Sequence, residues 1–140
     1  MRLVVDTNVA VAGLLWSGPP RRLLELALDD AAQLVSSPAL LAELLQTLHY
    51  PKFAKRMAAF ETAPTILAAH YNALVSVVTP QQVPRVIARD ADDDQVLACA
   101  VAARAHLIVS GDKHLHSLGG KYQGIRIVTP AEAIRVVETM

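Results

Sequence analysis

Short apolar runs that end on acids constrain this chain more than anything else in it. Arg2 to Val5 stops at Asp6-Thr7-Asn8, and Leu107 to Val109 stops at Ser110-Gly111-Asp112. Both runs are rich in β-branched residues and do not alternate with polar ones, the pattern of a strand buried on both faces. Gln33 to Val35, Ser76 to Val78 and Ile125 to Val128 read as three more strands.

Helical segments fall between them. Ser17-Gly18-Pro19-Pro20 opens a helix from about Arg21 to Asp30, with Leu23, Leu24, Leu26 and Leu28 forming its apolar face. Ser37 is placed as an N-cap and Pro38 at the first helical position of a helix that ends before Pro51. Residues 52–60 and 62–76 read as two further helices. The segment from Thr79 to Ala91, with prolines at 80 and 84, reads as a connecting loop with a brief extended stretch. The acidic run Asp90 to Asp94 leads into the helix QVLACAVAARA. Gly119-Gly120 reads as loop, and Pro130 starts a closing helix through about Val137. Strands alternating with helices predict an α/β sandwich with a mainly parallel sheet. In such sheets ligands sit beyond the carboxyl ends of the strands.

Asp6 and Asp112 occupy that position. Asp94 starts the helix that leads into the later strand, and Glu43 lies inside the helix after the second strand, among Leu40, Leu41, Leu44 and Leu45. A carboxylate among leucines carries a desolvation cost unless a cation or donors compensate it; pointing to water is the plain alternative. Carboxylates that converge repel one another, and a hard cation relieves the repulsion. Oxygen-only ligands favour Mg²⁺ or Mn²⁺ over Zn²⁺. Such ions turn water into a nucleophile and steady the leaving oxygen of a phosphodiester. Taken singly, Asp6 and Asp112 could be turn residues and the acidic run a solvated helix start.

Composition bounds the rest. The 140 residues suit one domain, 1–140, and the 53% hydrophobic fraction excludes a disordered chain. Aromatics at 4% argue against a base-stacking platform for single strands. Lys plus Arg and Asp plus Glu number 13 each, so any nucleic-acid contact must be local or must use metal ions. A chain without net charge is also prone to self-association. The single cysteine, Cys99, sits among alanines and valine as a small core residue, and a lone cysteine fits a reducing cytoplasm. The N-terminus lacks an apolar signal region, and no apolar run is long enough to span a bilayer. His114 and His116 form an H-x-H pair, a weak metal signal. Lys52, Lys55 and Arg56 at helical spacing could form a strip for an RNA backbone, although a solvated helix face is the simpler reading.

These residues together resemble the PIN domains. The matching signals are VVDTN (Val4 to Asn8), the isolated helical acid of LLAELL (Glu43), DDDQVLACAVAARAHLIVSGDKHL (Asp92 to Leu115) and VTPAEAI near the end. The subgroup most similar comprises PIN-family toxins of bacterial and archaeal toxin–antitoxin pairs, related to VapC. The resemblance implies a three-layer α/β/α sandwich, Mg²⁺- or Mn²⁺-dependent endoribonuclease activity, a cognate antitoxin and a homodimer. Carried over by residue, it assigns the metal-holding and catalytic acids to Asp6, Glu43, Asp94 and Asp112. Asn8 would support the first acid, Ser110 sits beside the last, and Lys113 is placed for a phosphate contact. Asp94 is preferred over its neighbours because DQVLACA fits the helical pattern D-x-x-(L/I)-A-x-A; Asp92 is then an N-cap, and Asp93 a first-turn acid favoured by the helix dipole.

Three rivals remain. Aspartyl phosphoryl transfer fits less well: receiver domains want an acid pair near the first strand, and haloacid-dehalogenase-type phosphatases want D-x-D where this chain has Asp6-Thr7-Asn8. A non-catalytic RNA-binding or assembly module is the second, and a PIN nuclease of RNA maturation or decay is the third.

Overall fold

The computed structural model describes residues 1–83 and 91–140. The elements run β1 (Arg2–Val5), α1 (Thr7–Leu15), α2 (Pro19–Leu28), β2 (Gln33–Ser36), α3 (Pro38–Leu48), α4 (Pro51–Ala59), α5 (Pro64–Leu74) and β3 (Ser76–Val77). They continue with α6 (Ala91–Ala103), β4 (Leu107–Val109), α7 (Lys113–His116), β5 (Lys121–Tyr122), β6 (Ile125–Val128) and α8 (Pro130–Glu138). The sheet order is β3-β2-β1-β4-β6-β5, parallel throughout except for the β5–β6 pair. Arg85, Arg89 and Asp90 lie outside the described residues, as does much of the expected 79–91 loop.

The apolar runs are explained by the two cores they serve. Leu3, Val5, Leu107 and Val109 face one core, built with residues of α1, α2, α5 and α8. Val4 and Ile108 face the other, with Val96, Leu97, Cys99 and Ala100 of α6. Both faces of the sheet are thus covered, giving the α/β/α sandwich. Each fully buried leucine contributes about 1.5–3 kcal/mol, and Leu3, Leu97 and Leu107 are all essentially out of solvent.

Capping residues set the helix starts. Ser37 Oγ accepts from the Leu40 N–H at 3.3 Å, with Pro38 in the first turn of α3. Thr129 and Glu132 form a reciprocal capping box on α8 (3.0 and 3.2 Å), and the Thr129 N–H bond holds the Glu132 carboxyl below its ordinary range. The helix α6 starts at Ala91, so Asp92 lies inside it rather than capping it. A first-turn acid serves the helix dipole as well as an N-cap serves the free N–H groups, so the acidic run alone does not fix the first residue.

Three elements escape the sequence pattern. The helix α1 buries Val9, Ala10, Val11, Gly13 and Leu15, and therefore shows no apolar stripe. Gly13 lets it approach α2: a Cβ there would stand 2.9 Å from the Pro20 carbonyl oxygen and 2.9 Å from Leu24 Cδ1. The helix α7 has four residues and β5 has two. Strand β5 turns back to β6 through Gln123-Gly124, both with positive φ, the backbone of a tight two-residue hairpin.

On α4, Arg56 donates to the Leu15 carbonyl at 2.8 Å and lies against the rings of Trp16 and Phe60. Its cation holds α4 to the end of α1, while Lys52 covers Phe53 and Lys55 is exposed. No described helix is long and apolar enough to cross a membrane.

Candidate metal centre

The order of the strands reverses between β1 and β4, and the candidate site sits at their carboxyl ends. This is the switch point at which open α/β sheets form their binding crevices. The Asp6 N–H donates to the Val109 carbonyl (3.1 Å), and the Ser110 N–H donates to the Val128 carbonyl (2.9 Å), so both strand ends are fixed by the ladder. A narrow cleft of about 40 Å³ opens there, lined by Asp6, Thr7, Asn8, Glu43, Asp93, Val96 and Asp112.

Each acid is held by the element that delivers it. Asp6 caps α1, its Oδ1 accepting from the Val9 N–H at 2.9 Å, while Oδ2 accepts from the Ser110 hydroxyl. Asp112 caps α7, accepting from the His114 N–H at 2.6 Å, and its own N–H donates to Ser110 Oγ at 2.8 Å. Ser110 is fully buried and does not line the cleft; it ties one acid to the other. Glu43 reaches the cleft half-buried from α3, with Leu40 and Thr47 buried on its helix face.

At the third acid, two neighbouring carboxylates are placed differently. Asp93 and Asp94 are both buried, yet Asp93 lines the cleft and Asp94 is not among its lining residues. Successive helix residues point about 100° apart, so neighbouring acids address different surroundings. Asp93 shares a face with Val96, three residues on, which lines the same cleft. Among the supporting residues, Asn8 lines the cleft from an exposed position. Lys113 is exposed at the start of α7, outside the lining.

Burial raises the Asp6 pKa above its ordinary value of 3.8; the Ser110 and Val9 hydrogen bonds oppose this, the Asp112 charge adds to it, and His116 opposes it slightly. His116 Nε2 donates to the Ser110 carbonyl at 2.6 Å, bracing the turn from beneath. Thr7 lines the cleft as the first residue of α1, within the VVDTN signal, whereas His114 and His116 belong to the short helix α7 and only their H-x-H spacing pointed to them. Cys99 takes no part: it is buried, and burial pushes its thiol up to about 12, so it is not a nucleophile.

The donor set fits a divalent ion. Asp6, Asp93 and Asp112 share a small polar cleft with Glu43, and carboxylates so gathered are stabilised by a hard cation.

A parallel α/β/α sandwich with acids gathered at its switch point defines the structural class. The sequence matches the PIN domain family over residues 2–114, and the chain belongs to that family, whose members are generally nucleases. Among solved structures, a chain of VapBC2 from Rickettsia felis, crystallised bound to a DNA fragment from their promoter, shares the fold. The TM-score is 0.60 at 14% identity, covering 91% of this chain and 97% of that one. No curated protein matches the sequence.

Proposed function

We propose that this single-domain chain is a Mg²⁺- or Mn²⁺-dependent endoribonuclease and the toxin of a toxin–antitoxin pair. The observation that carries this reading is the cleft itself, where acids from the β1–α1 junction, α3, α6 and the β4–α7 turn meet in a chain of PIN type. Asp6, Glu43, Asp93 and Asp112 would hold the ion, with Asp94 kept as the alternative to Asp93 that the family pattern favours. When bound, the ion supplies an activated water and neutralises charge developing on the phosphodiester.

The chain's own residues do the positioning. Ser110 keeps Asp6 and Asp112 in register, and the two N-cap bonds stop their carboxylates from turning away. Asn8 stands at the cleft rim, where its amide can meet a phosphate or sugar oxygen, and exposed Lys113 adds a positive charge next to Asp112. With no net charge, the chain lacks the overall basic excess that draws RNA to a protein, so the metal carries a large share of phosphate recognition.

The likeness to a VapBC2 chain supports the toxin role. An antitoxin would then inhibit by occupying the cleft, with an arginine reaching the carboxylates. A cytoplasmic location fits a lone buried cysteine.

The test is cleavage of structured and single-stranded RNAs with Mn²⁺, Mg²⁺ or EDTA, alongside Asp6→Asn. Metal-dependent cleavage that vanishes in Asp6→Asn supports the nuclease. Absence of both cleavage and metal-induced stabilisation favours the non-catalytic binding module. Co-purification with a small DNA-binding protein that blocks cleavage separates a toxin from a nuclease of RNA maturation or decay.

A further inference from the structure

One group of donors among the described residues mixes oxygen with nitrogen. A carboxylate oxygen of Asp93, a carboxylate oxygen of Asp112 and a ring nitrogen of His114 lie within 4.8 Å of one another. The His114 backbone is fixed beside this group by its 2.6 Å bond to Asp112. Its Nδ1 is shielded from solvent and has no hydrogen-bond partner among the described residues. Asp112 Oδ1 stands 3.5 Å from Nδ1, too far for a good hydrogen bond. Metal–ligand bonds of about 2.1 Å place opposite ligands about 4.2 Å apart. A set spread over 4.8 Å therefore closes around an ion with a small adjustment.

The geometry points to His114 as a nitrogen ligand of the cleft's divalent ion, making a mixed oxygen–nitrogen site that prefers Mn²⁺ to Mg²⁺. This rests on reading the acidic cleft as a divalent-metal site. Mg²⁺ keeps to oxygen donors and water, whereas Mn²⁺ shares its oxygen ligands and, although the weakest binder of the first-row series, accepts an imidazole nitrogen more readily. The competing arrangement of the same atoms is an ion pair between protonated His114 and Asp112, in which the ring takes no part in metal binding.

The experiment loads the full chain with Mn²⁺ and reads nitrogen coupling by pulsed EPR, with Mn²⁺ and Mg²⁺ affinities measured by calorimetry. The variants are His114→Ala, His114→Asn and His116→Ala; His114→Asn keeps a polar side chain should alanine weaken the α7 turn. The expected result is a directly bound ¹⁴N in wild type and His116→Ala that is absent from both His114 variants. Their Mn²⁺ affinity falls about tenfold or more, and Mg²⁺ affinity changes less. Bound Mn²⁺ without nitrogen coupling overturns the His114 assignment and leaves the acidic site standing. Coupling lost only in His116→Ala overturns it in favour of that ring. Failure of wild type to bind Mn²⁺ overturns both the assignment and the metal-site reading beneath it.

Discussion

Ser110 donates its hydroxyl hydrogen to Asp6 Oδ2, joining two residues 104 positions apart at the ends of β1 and β4. The same Oγ accepts the Asp112 N–H at 2.8 Å, so one buried hydroxyl fixes an acid on each side of the cleft. Two hydrogen bonds on one side chain with no exposure make this position sensitive to truncation.

Ser110→Ala removes the donor and leaves a buried carboxylate under-satisfied. The expected cost is about 1–3 kcal/mol of unfolding free energy at neutral pH without metal, measured by urea denaturation in EDTA. Ser110→Thr keeps the hydroxyl and is expected to retain most of the stability and the metal affinity. An alanine variant as stable as wild type would show that the bond contributes nothing to holding Asp6.

Asp6 gives the metal-free protein a defined pH dependence. Its folded pKa is raised above 3.8, chiefly by burial. Between those two values the folded chain binds more protons than the unfolded chain, so this group's contribution is fully present below about 3.8 and lost as pH rises through the folded pKa. Asp6→Asn removes the charge while its amide can still cap α1. In EDTA it is expected to match or exceed wild type at neutral pH, with the gain vanishing in acid. In Mn²⁺ the order reverses, because only wild type gains the binding energy, about 2.7 kcal/mol at a hundredfold excess over Kd. Thermal melts across pH with and without Mn²⁺ check both halves.

How much was readable varied with what each residue does. Strands buried on both faces announce themselves as unbroken apolar runs, and Asp6 and Asp112 stand out because they follow such runs directly. The helix α1 was hidden because burial around most of its circumference erases the stripe that marks a surface helix. The helix α7 and strand β5 are too short to carry any period, so His114 and His116 looked like loop residues. The pattern D-x-x-L-A-x-A marks that α6 is a helix and leaves open which of two adjacent acids turns toward the cleft. That depends on how α6 docks on the sheet, which no local pattern encodes.

The two adjacent acids are separable by exchange. Asp93→Asn alters a residue that lines the cleft and is expected to cost about 10–100-fold in Mn²⁺ affinity. Asp94→Asn is expected to change it far less. Calorimetric titration of both variants decides the matter, and the opposite order would return the third acid to the position that the family pattern favours.

Gly13 tests the packing that places the first acid. It sits in the last turn of α1, the helix that Asp6 caps, where α1 meets α2. Alanine is the better helix former by about 1 kcal/mol, so an isolated helix would gain from Gly13→Ala. Here the added methyl would stand 2.9 Å from the Pro20 carbonyl oxygen, a backbone atom that cannot rotate away, and 2.9 Å from Leu24 Cδ1. Leu24 can shift; Pro20, in the first turn of α2, cannot do so without moving that helix. Overpacking of this kind costs about 1–3 kcal/mol, which outweighs the propensity gain. The expected outcome is a net loss of stability in thermal melts, with metal affinity also reduced if α1 moves as a rigid rod and carries its N-cap Asp6 with it. Lost stability with unchanged Mn²⁺ affinity would show that the strain is absorbed by α2, and that the bonds of Asp6 to Val9 and Ser110 fix the cleft independently of the α1–α2 contact.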